Sequence, residues 1–158
     1  MKALVIYYSR SSVTKKIAEA ISKQIHADIE EIIDTEKRSG IIGFIRSGYQ
    51  ASYDQFTKIQ DIKSNLEDYD LVILGSPIWA SKPSTPVTTF IKKYHTNIKS
   101  LAVFITHSSS KNSYQSAIDF IETAAGKKAV KTLSVSSANV KNNDFSEVTS
   151  FADELSKL

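Results

Sequence analysis

Three short runs in this 158-residue chain place polar or aromatic side chains where a buried apolar stretch stops. The first is Ser9, Arg10, Ser11, Ser12, Val13 and Thr14, the second Ser76 to Ser84, and the third Thr106, His107, Ser108, Ser109, Ser110 and Lys111. In the first run four hydroxyl side chains, joined by Arg10, lie beside the free N–H groups of a helix start. There the helix dipole favours an anion. A phosphate is the natural guest, although Ser11 or Ser12 acting only as a helix cap would read the same way. The run has neither the spacing nor the Lys-Ser/Thr pair of a Walker loop, and it lacks the glycines of a dinucleotide fingerprint. It suits one terminal phosphate better than a diphosphate. Trp79, the only tryptophan, sits just past Pro77, where such a side chain more often packs under its own loop, unless a planar ligand beside the phosphate uses its flat face. His107 has no carboxylate at a spacing that would orient it as a base, and no His–Asp pair is placed to activate Ser9, Ser11 or Ser12. No residue is assigned catalysis, and no metal site is expected. His26 and His95 read as charge complements at helix ends.

The elements that must position these runs are legible from periodicity. Ala3 to Tyr8 is an unbroken apolar stretch, as in a central parallel strand covered on both faces. Val13, Ile17, Ile21 and Ile25 then recur every four residues as one face of a helix. Ala27 to Ile33 predicts a second strand, and Leu71 to Gly75 a third, ended by Gly75-Ser76-Pro77. Pro86 opens a helix whose buried face is Val87, Phe90, Ile91 and Tyr94, closed by His95. Leu101 to Thr106 is a further core strand. The next helix carries Tyr114, Ala117, Ile118, Ile121 and Ala125 and stops at Gly126, the usual residue for a left-handed cap. Val130 to Val135 is the fifth strand, and Asn143 or Asp144 caps a last helix with Phe145, Val148, Ala152 and Leu155 inward. Residues 36–57, rich in Ile, Phe and Tyr, read as a partly helical insertion lying over the sheet.

Strands alternating with helices imply parallel βαβ units and right-handed crossovers. The result is a three-layer α/β/α sandwich, read as one domain over residues 1–158 with no internal repeat or linker. Ligands of such folds sit outside the carboxyl ends of the strands, so all three runs converge on one composite site. The absence of cysteine excludes a disulfide framework, a thiolate metal site and a cysteine nucleophile. No apolar run approaches the roughly 18 residues of a membrane span, and Met1 leads straight into a strand. A cytoplasmic location is expected. The net charge of +3 is spread along helices without a dense basic run, which argues against nucleic acid as a partner.

The segments YYSRSSVTKKIAEAI, DYDLVILGSPIWASKPSTPVTTFI and LAVFITHSSS together resemble flavodoxins and the short flavodoxin-like flavoproteins over essentially the full length. The resemblance implies a flavodoxin-like fold with a five-stranded parallel sheet in the order 2-1-3-4-5 and one non-covalent FMN. By this likeness Ser9, Arg10, Ser11, Ser12, Val13 and Thr14 wrap the phosphate. Ser76, Pro77, Ile78, Trp79 and Ala80 flank the isoalloxazine, and Thr106, His107, Ser108, Ser109 and Ser110 border its other edge. Related sequences usually carry glycine where Ser12 stands and often where Ser81 stands. The function implied is electron transfer, with a redox partner protein or a small-molecule acceptor. The alternatives are an FMN-dependent NAD(P)H:quinone-type reductase and a binding or regulatory module that has lost FMN. A receiver domain is disfavoured because no acidic pair ends the first strand, and the phosphatase of similar topology needs a cysteine. Oligomeric state is open.

Overall fold

In the computed structural model, which describes residues 1–36, 56–108 and 114–158, the chain alternates strands and helices. β1 (Ala3–Tyr7) is followed by α1 (Val13–Ile25), β2 (Asp28–Glu31), β3 (Leu71–Trp79), β4 (Lys82–Pro83) and α2 (Thr85–Tyr94). Then come β5 (Leu101–His107), α3 (Gln115–Ala125), β6 (Thr132–Ser136), α4 (Ser137–Lys141) and α5 (Ser146–Leu155). Five strands pair in parallel in the order β2-β1-β3-β5-β6, while β4 pairs antiparallel with the end of β3. With the two-residue β4 set aside, this is the expected order 2-1-3-4-5. The expected insertion at 36–57 falls almost wholly on residues outside the described set.

Every residue of β1 is buried, because a strand covered on both faces sends alternate side chains into two separate apolar layers. Leu4, Ile6, Val72, Leu74, Val103 and Ile105 point to one layer, where they meet Val87, Phe90 and Ile91 of α2 and Ile118 and Ile121 of α3. Val5, Tyr7, Leu71, Ile73, Ala102 and Phe104 point to the other, against Ile17 and Ile21 of α1 and Val148, Phe151 and Leu155 of α5. Among the described residues no helix is long and apolar enough to cross a membrane.

β2 and β6 differ from the sequence expectation by one or two residues at their ends, and two further boundaries differ for reasons the structure shows. β3 does not stop at Gly75: Ser76 and Pro77 stay in register with Ile105 and Thr106, and Ile78 and Trp79 continue as one arm of a hairpin with Pro83 and Lys82. Proline is permitted there because a strand end does not require its missing N–H. α5 begins later than a cap at Asn143 would give. The Asp144 carboxylate accepts from the backbone N–H and the hydroxyl of Ser146, at 3.1 and 2.7 Å, which holds its pKa below the usual carboxylate value. Gly126 ends α3 with φ 65°, as its residue type requires.

Gly75 has a separate reason to be glycine. It lies opposite Tyr7 and Phe104 in the sheet, and a Cβ there would sit 2.1 Å from the Phe104 ring, which is wholly buried. The ring therefore fills the space that a side chain would claim. Gly75→Ala is expected to lower stability by about 1–3 kcal/mol through overpacking, measured by urea denaturation. Unchanged stability would mean that the Phe104 ring can move aside.

Candidate functional site

The carboxyl ends of β1, β3, β5 and β6 surround a cavity of about 350 Å³. The loop after β1 contributes Arg10, Ser11 and Val13, the end of β3 contributes Pro77, Ile78 and Trp79, and the end of β5 contributes Thr106, His107 and Ser108. Ser137 and Lys141 of α4 complete the lining. Pro77, Ile78 and Trp79 give the cavity apolar surface, while the rest of the lining carries hydroxyls and two cationic side chains, Arg10 on the β1 side and Lys141 on the β6 side. No carboxylate lines the cavity among the described residues. A ligand with a flat apolar body and an anionic end matches this division.

The loop after β1 is shaped by backbone more than by capping. Ser12, the residue before α1, has left-handed backbone, φ 64°, and its hydroxyl makes no cap bond. Instead the Ser9 hydroxyl accepts from the Lys15 N–H at 3.2 Å. The first N–H groups of α1, at Val13 and Thr14, precede any intrahelical partner and are left for an anion. A side chain in left-handed backbone costs about 1–2 kcal/mol, so the position favours glycine.

The middle loop is a two-residue hairpin turn. Trp79 pairs with Lys82, and the residues between them, Ala80 and Ser81, have φ 48° and 63°. Two positive values at the centre of a hairpin are the mark of a type I′ turn, for which Asn-Gly is the favoured pair. Ser76 and Ser84, both fully buried, hold this hairpin to α2: the Ser76 hydroxyl accepts from the Ser84 N–H at 3.0 Å and donates to the Pro77 carbonyl at 2.9 Å. Trp79 is only 8% exposed and meets Tyr8 edge-on, with ring centroids 5.5 Å apart. It is thus part of the core and of the cavity wall together.

The expected site residues fall into three groups. Arg10, Ser11, Val13, Pro77, Ile78, Trp79, Thr106, His107 and Ser108 line the cavity. Ser9, Thr14 and Ser76 shape the loops around it through side-chain hydrogen bonds, and Ser12 and Ala80 do so through left-handed backbone. Ser109 and Ser110 lie outside the described residues. Thr14 and Thr106 are joined below the cavity floor, where their hydroxyls meet at 2.8 Å with both side chains buried. That bond fastens the start of α1 to the end of β5.

Ser137 and Lys141 escape a reading of the sequence, because α4 is a single short turn with no apolar stripe. A signal exists in Ser134, Ser136 and Ser137, a fourth cluster of hydroxyls at a strand's carboxyl end. Ser136 caps α4 by accepting from the Ala138 N–H at 3.2 Å, which turns Lys141 toward the cavity. On the far side of Arg10 a second hollow of about 300 Å³ is lined by Glu31, Asp34 and Glu36, so the carboxylates of this end are set apart from the main cavity. At the end of β1, burial and then Glu31, whose carboxylate accepts from the Tyr7 hydroxyl at 3.3 Å, push the Tyr7 phenol pKa up, which keeps the hydroxyl protonated as a donor.

No protein-family model and no curated protein matches the sequence. Solved structures do match. A flavoprotein from Lactobacillus acidophilus NCFM, determined in complex with FMN, aligns with a TM-score of 0.73 at 24% identity over 89% of this chain and 97% of its own. The apo-form of the flavoprotein from the same organism gives 0.67 at 26% identity, over 89% and 95%. Oxidised flavodoxin 1 from Bacillus cereus gives 0.63 at 21%, over 99% and 98%.

The chain has a flavodoxin-like fold. In that fold the strand order reverses beside β1, since β2 lies on one side of it and β3 on the other, and a cavity at the carboxyl ends is where the topology puts a ligand. The Thr14–Thr106 bond forms part of the floor of this cavity. Thr106→Val leaves one buried hydroxyl unpaired and is expected to cost about 1–3 kcal/mol in urea denaturation. Adding Thr14→Val should restore most of that loss, since both partners are then apolar. A double variant no more stable than the single one would show that the bond is not what the two threonines contribute.

Proposed function

We propose that the protein binds one FMN non-covalently in this cavity and works as an electron-transfer flavoprotein. The observation that carries the proposal is the make-up of the lining: apolar surface from Pro77 to Trp79 together with hydroxyls, Arg10 and Lys141, and no carboxylate among the described lining residues. The fit follows from the chemistry of these donors. Ser11, the leading N–H groups of α1 and the Arg10 guanidinium suit a phosphate monoester, since charged donors to phosphate oxygens make the stronger hydrogen bonds. Pro77, Ile78 and Trp79 suit a planar ring system, and the 350 Å³ between them is within the usual size of a cofactor pocket. The relative from Lactobacillus acidophilus that was solved with FMN supports the same reading.

Bound FMN would supply the electron chemistry, and the chain would supply binding, orientation and exclusion of water. Thr14 and Thr106 hold the phosphate loop and the far loop at fixed spacing, while the Ser76–Ser84 pair fixes the hairpin that carries Trp79. Among the described residues no group of His, Asp and Glu is placed to hold a metal ion. A redox partner protein or a small-molecule acceptor and a cytoplasmic location belong to this reading.

Adding FMN to the purified protein is expected to quench the fluorescence of both the flavin and Trp79 at one-to-one stoichiometry. Arg10→Ala should weaken FMN binding by about tenfold or more and change riboflavin binding little, as the loss of one charge-assisted phosphate contact predicts. Protein that stays colourless, with neither fluorescence quenched, would refute the proposal.

A further inference from the structure

His107 is the last residue of β5 and pairs with Ser136 in the sheet. Its ring packs against Tyr114, with centroids 4.6 Å apart and planes tilted by 39°. Its Nδ1 is buried and has no hydrogen-bond partner among the described residues. The half-buried residue also lines the cavity, so what it presents there is the part of the ring away from Nδ1. A proton on Nδ1 would be a buried donor without an acceptor among the described residues, and orphaned N–H groups are rarer in folded proteins than under-satisfied acceptors. The neutral ring therefore places its proton on Nε2, where a ligand can take it.

We propose that His107 is a fixed one-way hydrogen-bond donor of the site, presenting Nε2–H to an acceptor on the planar part of the ligand. This rests on the FMN reading above, and it adds which chemistry the ring edge must offer. Serine hydroxyls on the same rim rotate and serve either as donor or as acceptor, so they do not discriminate. An imidazole held by a stacked Tyr114 and a sealed Nδ1 does discriminate. It favours a heterocycle whose edge carries a carbonyl oxygen or an unprotonated ring nitrogen, as the isoalloxazine does, over one whose edge presents an N–H.

The direct test is nitrogen-15 NMR of the histidine side chains in the protein without ligand, which reports the tautomer of His107. A proton on Nε2 is expected; a proton on Nδ1 would overturn the proposal. The second arm is FMN affinity in two variants. The amide nitrogen of glutamine reaches to where Nε2 stands, and that of asparagine only to where Nδ1 stands. His107→Gln is expected to bind FMN within about threefold of the parent, and His107→Asn about tenfold or more weakly, as the loss of one hydrogen bond predicts. Equal loss in both, or none in either, would contradict the donor role. The tautomer measurement needs no variant and stands even where one fails to fold. A parent protein with Nε2–H that ignores FMN would refute the FMN reading and with it the choice of ligand. A parent that binds FMN with the proton on Nδ1 would refute the donor role alone.

Discussion

The structure depends on one constraint, which is that β1, β3 and β5 are buried on both faces. Their side chains alternate between two apolar layers, and hardly a polar group can be placed along them without losing its hydrogen bonds. Polar chemistry is consequently driven to where the strands end. Because all of the long strands run parallel, those ends lie together, and the loop after β1, the end of β3, the end of β5 and the start of α4 meet around one cavity. The site is a consequence of the sheet before it is a property of any single loop.

The same constraint explains why so many serines and threonines stand there and why they do different work. Some face the cavity, as Ser11, Ser108 and Ser137 do. Others are buried and satisfied by one another, Thr14 with Thr106, which also reaches the lining, and Ser76 with Ser84. These inner pairs replace the water that a strand end would otherwise need, and they tie loops from distant parts of the sequence into one rigid floor. The loops above carry the opposite burden. Ser12, Ala80 and Ser81 adopt left-handed backbone that glycine would take without steric cost, and in the hairpin the packing of Trp79 and the Ser76–Ser84 link hold Ala80 and Ser81 in it.

The fold is legible in the sequence because its signals are long and redundant. Uniform apolar runs at Ala3 to Tyr8 and Leu101 to Thr106 read as central strands, and recurrence every four residues in α1 and every three or four in α5 sets the faces of the helices. Short features escape. β4 is two residues long, α4 is five, and neither carries a period, so both are defined by hydrogen bonds to partners that a linear reading does not see. The continuation of β3 to Trp79 is hidden by Gly75 and Pro77, which usually end strands. Here glycine makes room for Phe104, and proline sits where its missing N–H is harmless. In the site, hydroxyls mark the correct loops but cannot separate those that face a ligand from those that fasten the floor, because that distinction depends on pairs 92 and eight residues apart in sequence.

The cavity at the carboxyl ends of β1, β3, β5 and β6 is the place that the proposed flavin nucleotide would occupy. The most direct measurement is a backbone amide NMR titration of the protein with FMN. Saturable shifts are expected at Arg10, Ser11 and Val13, at Ile78 and Trp79, at Thr106 to Ser108 and at Ser137 and Lys141, with the opposite end of the sheet around Ser100 and Lys131 unmoved. Shifts centred on that opposite end, or on the separate hollow between Ile29 and Gln60, would contradict binding in this cavity.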